Sequence, residues 1–209
     1  FSGAVARADV PVVSHETGQF QVYPDYREIA KYTGVLYPYN MEVFRDRLAR
    51  AGMSEQAEDF FLASGRWAAE LYKADIEMDL RTEGLAGFQL LDLQDYPGQG
   101  SAYVGILDAF MDSKGLVSPE RWRGFCNEVV PLLLTEKFCW TEGETLMARV
   151  KVAHYGARSL QGTELAWTLR DEQGHVAGKG VCPIVSSGRG LLEVGDIRQP
   201  IPVTGKARR

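Results

Sequence analysis

Hydrophobic positions change their rhythm along this chain, and the change divides it. Through roughly the first 135 residues, short continuous apolar runs alternate with longer stretches of helical spacing; beyond that only the period-two pattern of strands remains. Val10-Pro11-Val12-Val13-Ser14 is a continuous apolar run, suited to a strand buried on both faces as in parallel sheets. Asn40 can cap a helix running from Met41 through Leu48, and Gly52 is a natural terminator for it. Ser54 opens a longer helix. On it Phe60, Ser64, Trp67 and Leu71 fall on one face, widened by Phe61, Ala68 and Ile76, which predicts packing against a sheet.

A second strand is predicted from Gly87 to Asp95, stopping in the loop-forming run Asp95-Tyr96-Pro97-Gly98-Gln99-Gly100. Ser118-Pro119-Glu120 then reads as a helix start, with a capping hydroxyl, Pro at the first helical position and an acid behind it. That helix would carry Trp122, Phe125 and Val129 on one side. From Thr145 to Tyr155 apolar and polar residues alternate until Gly156, and Glu164–Arg170 and His175–Val185 flank a hairpin turn at Asp171-Glu172-Gln173-Gly174. Regularly spaced short strands suggest a small β-sandwich. There is no internal repeat and no low-complexity linker.

Composition narrows the class without naming a function. At 209 residues, 45% hydrophobic and 24% charged, the chain is of ordinary globular make-up. A net charge of −5 argues against nucleic acid or an anionic membrane as a main partner. No apolar stretch approaches the ~20 residues of a membrane span. The start at Phe1-Ser2-Gly3-Ala4 does not read as a secretory signal and has no initiator Met, which suggests a processed or excised piece. Cys126, Cys139 and Cys182 form neither a CxxC pair nor a zinc-like spacing with a histidine, so they are expected to be buried fillers. His154 and His175 are expected at the surface or in a strand pair.

Candidate chemistry gathers where the two predicted parallel strands end. Ser14, His15, Glu16 and Gln19 follow the first, and Asp92, Gln94, Asp95 and Gln99 close the second. Ligands of parallel β/α folds sit at those carboxyl ends, and neighbouring strands ~4.8 Å apart would bring both clusters to one rim. Carboxylates facing each other across a rim suit glycosidic bond cleavage, among other reactions. Phe20, Tyr23, Tyr26, Tyr32, Tyr37 and Tyr39 could wall a sugar site or simply pack with their hydroxyls at the surface. His15-Glu16 is not a zinc protease motif, because no second His stands four positions on. Gly98-Gln99-Gly100 does not match a phosphate loop.

The segments PVVSHETGQFQVYPDYREIAKYTGVL and GFQLLDLQDYPGQGSAYVGILDAFMDSKG resemble the last quarter of the catalytic barrel in bacterial glycoside hydrolase family 2 proteins, the β-galactosidase-like, sugar-binding-domain proteins of polysaccharide degraders. The likeness runs from about Val10 to Phe138 and continues weakly into the immunoglobulin-like module that follows the barrel in that family. It implies an α/β fold, a partial (β/α)8 barrel over residues 1–135 followed by an immunoglobulin-like β-sandwich over 136–209. It implies that Ser14-His15-Glu16-Thr17-Gly18 takes the place of the nucleophile motif, with Glu16 forming a glycosyl ester. His15, Gln19, Asp92, Gln94, Asp95 and Gln99 would then recognise sugar hydroxyls, with no cofactor and no metal. The family's eighth strand reads Gly-Gly-Phe with tryptophans and an Asp; here it reads Ala86-Gly87-Phe88-Gln89-Leu90-Leu91-Asp92. A periplasmic or extracellular location is also implied.

Length sets a condition on this reading. A complete barrel takes ~250 residues, and the family's acid/base Glu lies in an Asn-Glu motif on an earlier strand. Asn127-Glu128 is such a pair, but it falls inside a predicted helix after the last barrel strand. The acid/base is therefore expected on sequence upstream or on another chain, and the 209 residues alone are expected to be inactive and either marginally stable or homo-oligomeric through open strand edges. The competing expectation is a non-catalytic carbohydrate-binding or scaffold protein that keeps the fold; a third is a structural module used for domain contacts.

Overall fold

The structure, a computed structural model, describes residues 1–171 and 173–202, and the chain divides into one unit of residues 1–79 and 84–126 and another of 80–83 and 127 onward. In chain order the first unit holds α1 (Ser2–Val5), β1 (Val12–Gly18), a 3-10 turn at Tyr26–Lys31 and α2 (Tyr39–Arg50). A second 3-10 turn at Ser54–Gln56 leads into α3 (Ala57–Arg81), then come β2 (Leu85–Leu91) and α4 (Pro119–Arg123). α3 begins with Glu58 and Asp59 in its first turn and ends on Arg81, charges that suit the two ends of the helix dipole. Its buried stripe is Phe61, Ala68, Tyr72 and Ile76, spaced by four and seven residues. Trp67, expected on that stripe, is 65% exposed on the opposite side.

β1 and β2 pair in parallel and form a sheet of two strands only, joined through α2 and α3 as a βαβ unit. One face is covered: Leu90 of β2 packs with Ala69 and Tyr72 of α3 and with Ile106. The other face is open, with Val13 53% exposed, so β1 is not buried on both sides as its apolar run suggested.

The (β/α)8 barrel expected from the resemblance is not present. Residues 92 to 118, where a further strand–helix step would stand, contribute only isolated bridges, Gln94 to Leu107, Tyr96 to Ala102 and Leu107 to Ser113. Single bridges fold this segment onto itself and leave the sheet at two strands. α4 is also shorter than predicted. Ser118 caps it by accepting from the Arg121 amide at 3.2 Å, but the helix stops at Gly124 and Asn127-Glu128 lies outside it.

In the second unit β3 (Val129–Thr135), β4 (Thr145–His154) and β7 (Gly190–Pro200) form an antiparallel sheet in the order β3-β4-β7, while β5 (Thr163–Arg170) and β6 (Val176–Ile184) form an antiparallel pair. Ala148, Val150, Ile197 and Cys182 make one core cluster and Val152, Ile184 and Leu192 another, so the inward residues of the two sheets share an interior. Five strands in sheets of three and two replace the immunoglobulin-like sandwich that was expected. β3 and β7 have no counterpart among the predicted elements. β3 tolerates Pro131 because it is an edge strand, where a missing N–H need not face a partner.

The β5–β6 turn closes through Gly174 N to Asp171 O and Asp171 N to His175 O, both at 3.0 Å. Glu172 of the predicted turn, and residues 203–209 of the expected second domain, lie outside the described residues. His154 lies in a strand pair, opposite Val129 and Gly190, and is buried there; of the cysteines Cys182 is buried but Cys139 is exposed, unlike the buried fillers expected.

Candidate functional site

Strict alternation along β1 would send Ser14 and Glu16 to one face and His15 and Thr17 to the other. The strand does otherwise. Between Ser14, opposite Phe88, and Thr17, opposite Leu90, β1 carries one residue more than β2, a bulge. Glu16 takes the left-handed conformation there, with φ of 54°. Ser14 and Thr17 consequently both face inward, their hydroxyls 2.8 Å apart, and Thr17 donates to Asp79 on α3 at 3.3 Å. His15 and Glu16 are both left outside.

Glu16 is placed by its neighbours. The Gln19 side-chain amide donates to its Oε2 at 2.8 Å, and His15 Nε2 lies 3.6 Å from Oε1. His15 is anchored from the other strand, its Nδ1 2.7 Å from Gln89 Oε1. Gln19 is itself left-handed, with φ of 66°. Two such non-glycine residues cost about 1–2 kcal/mol each, a strain that persists only where the surroundings fix it. Gly18 between them has φ of 107°, and a side-chain carbon there would come within 2.3 Å of the Tyr72 ring. That ring fills the turn from below, and its hydroxyl sits 2.9 Å from the Asp92 carbonyl and 2.6 Å from that of Val104. One α3 side chain thus ties together both strand ends and the loop that follows β2.

Beside Glu16 opens a cleft of about 560 Å³, lined by Gln19, Gln21, Asp92, Tyr96, Gln99 and Ser101 among others. Of the predicted site residues, Gln19, Asp92 and Gln99 therefore meet in one space. Neither Glu16 nor His15 lines it; Glu16 is tied to it through its bond to Gln19, and His15 is tied to Glu16. Gln94 is not on the cleft; its backbone bridges Leu107.

Asp95 has a different part. It is buried against Lys114, whose ammonium lies 2.7 Å from its carboxylate, both side chains being 3% exposed. Its Oδ1 also accepts from Gly105 N at 2.9 Å. Gly105 lets this happen, since a side-chain carbon there would fall 2.2 Å from the Gln94 backbone. Asp95 thus closes the loop that carries Tyr96, Gln99 and Ser101; it is absent from the cleft lining and borders the small cavity beside Tyr96.

Sequence reasoning took Asn40 for a helix cap and missed its role at the site. It stands inside the first turn of α2 and caps nothing; its amide donates to Gly100 O and to the Tyr103 hydroxyl, pinning the same loop from outside. Glu28, unmarked in the sequence, is buried beside this ion pair with neither carboxyl oxygen hydrogen-bonded to the described residues. Burial pushes it up to about 7; Lys114 opposes the shift, and Asp95, Asp108 and Asp25 reinforce it. Nearby Asp108 pairs with Lys31.

The sign follows from the raised value. Below about 4.5, its ordinary value, Glu28 is neutral whether the chain is folded or not, and its contribution is intact; as pH rises toward about 7 the unfolded chain ionises first and stability is lost. The loss approaches about 3 kcal/mol above that range. Denaturant unfolding of the first unit will show this decline between mildly acid and slightly alkaline pH, and Glu28→Gln will flatten it. A variant that keeps the wild-type slope contradicts the assignment to Glu28.

No three His, Cys, Asp or Glu side chains among the described residues converge as a metal-binding group, and no described helix is long and apolar enough to cross a membrane. Compared with known families, residues 144–209 match a domain of unknown function, DUF8488, a span that includes β4 to β7. No curated protein matches the chain. The family match lies wholly outside the first unit, so the strand-end site is argued from its own chemistry.

Proposed function

We propose that this chain carries the nucleophile of a retaining glycoside hydrolase similar to the β-galactosidase-like proteins of family 2, and that its acid/base residue is supplied from outside these 209 residues. A Glu16 oxygen attacks the anomeric carbon, the glycosidic C–O bond breaks, and the departing oxygen takes its proton from that acid. Water then cleaves the glycosyl ester and frees Glu16. The observation that supports this reading is the placement of Glu16. A bulge turns it out at the carboxyl end of a parallel strand, and the amide donor that fixes it, Gln19, lines a cleft within the ~300–1,000 Å³ range of small-molecule sites.

Ester formation tests it directly. A deoxyfluoro glycoside with a dinitrophenyl leaving group departs without help from a proton donor, so the reaction reads the nucleophile alone. Peptide mass mapping is expected to find the sugar on Glu16. Binding of sugars without any labelling would instead support the carbohydrate-binding alternative, and labelling on a different carboxylate would end the assignment.

A further inference from the structure

Tyr96 stands in water, 53% exposed, yet it is held firmly. Its amide donates to Ala102 O at 3.1 Å and its carbonyl accepts from Gln99 N at 3.3 Å. Its ring lies against Gly98, where an added side-chain carbon would be 2.6 Å from it. Tyr96 borders the cleft beside Asp92 and Gln99 on one side. On the other it borders a small cavity shared with Tyr37, Leu36 and Pro97. Tyr37 is 67% exposed, and its hydroxyl is tethered to Glu42 of α2. Two exposed aromatic residues thus border the small cavity next to the polar cleft, Tyr96 belonging to both, with Glu42 of α2 holding the Tyr37 hydroxyl and Asn40 holding the loop of Tyr96 at Gly100.

Exposed aromatic rings cost solubility, and fixing them removes the freedom that would let them fold back onto the protein. Amides, a carboxylate and hydroxyls beside flat aromatic faces match a pyranose ring, which has an apolar C–H face and a polar rim. A second strand of protein would call for unpaired backbone, and the loop's backbone groups are largely paired internally.

We infer that Tyr96 and Tyr37 form a track for successive sugar rings, so that the ligand of this site is an oligosaccharide and not a single glycosyl unit. The inference rests on the carbohydrate reading of the Glu16 cleft. The ring bound at Gln19 and Asp92 is followed by one over Tyr96 and then one over Tyr37.

Calorimetric titration with a β-linked galactose glycoside, its disaccharide and its trisaccharide tests the track. Affinity is expected to rise about five- to tenfold with each added ring. Tyr96→Ala should remove the gain from the second ring and everything beyond it, and Tyr37→Ala only the gain from the third. Tyr→Phe at either position should keep the gain, because the ring face and not the hydroxyl is used. Circular dichroism confirms that each variant is folded. Equal affinity for all three lengths overturns the track while leaving the Glu16 reading intact, because the monosaccharide still binds. Binding of none, with no labelling of Glu16, overturns both.

Discussion

Under the proposed function, Glu16→Gly will lower turnover of an activated aryl β-glycoside, measured together with the proposed acid/base partner, about 10⁴–10⁶-fold, the loss expected of a deleted nucleophile. Glycine suits this test because residue 16 already has φ of 54°, a conformation glycine adopts without penalty, so the bulge survives the change. The cleft residues Asp92, Tyr96 and Gln99 are untouched, and sugar binding should change only a few-fold. Removing the side chain also opens room beside Gln19, whose amide held Glu16 at 2.8 Å. Added azide should enter there and restore turnover, giving a glycosyl azide of inverted configuration, since one displacement now replaces two. Full activity in the variant sinks the assignment. So does an activity loss that azide leaves unchanged while the activated substrate still binds.

The second large effect concerns stability. Lys114→Met will destabilise the first unit by about 3–5 kcal/mol, because breaking a buried ion pair leaves a charge without compensation. Lys114 is the cation closest to Asp95 and also donates to Gly105 O at 3.0 Å. Its positive charge also opposes the upward shift of Glu28, so its loss leaves two buried acids facing each other. Asp95 is held above the ordinary carboxyl range by burial even with Lys114 present. Urea unfolding followed through the first unit's Trp67 and Trp122 measures the change. Adding Asp95→Asn to the Lys114 variant should recover most of it, since an asparagine oxygen can still accept from Gly105 N. A single variant within 1 kcal/mol of wild type (roughly the accuracy of such extrapolations) would show that the pair is not the loop's anchor.

What could be read from the sequence follows physical lines. The long helix was legible because apolar positions at helical spacing need a partner surface, although the face was rotated: Trp67 lies outward and Tyr72 takes the centre. β4, β5 and β6 were legible from alternation. β3 was not, because Val129 continued a helical spacing from Trp122 and Pro131 argued against a strand; only its edge position makes that proline acceptable. The barrel expectation came from resemblance, and nothing in residues 92 to 118 has the strand periodicity needed to extend the sheet. At the site, polar residues after an apolar run marked Glu16, Gln19, Asp92 and Gln99. Asp95 looked identical in sequence, and only the distant Lys114 distinguishes it. Asn40 and Glu28 act through contacts far along the chain, which leave no local signal.

The extra residue in β1 separates two kinds of freedom. Ser14 and Thr17 are committed to the helix beneath them, whereas His15 and Glu16 meet only exposed partners, Gln89 and Gln19. The outward pair can therefore be rewritten without refolding the scaffold, and a lineage could acquire, exchange or discard a reaction at this spot while its interior stayed unaltered. Deleting His15 would instead restore regular pleating, with Ser14 and Thr17 still inward and the acid as the single outward residue between them, stripped of its left-handed turn and of the imidazole at its side.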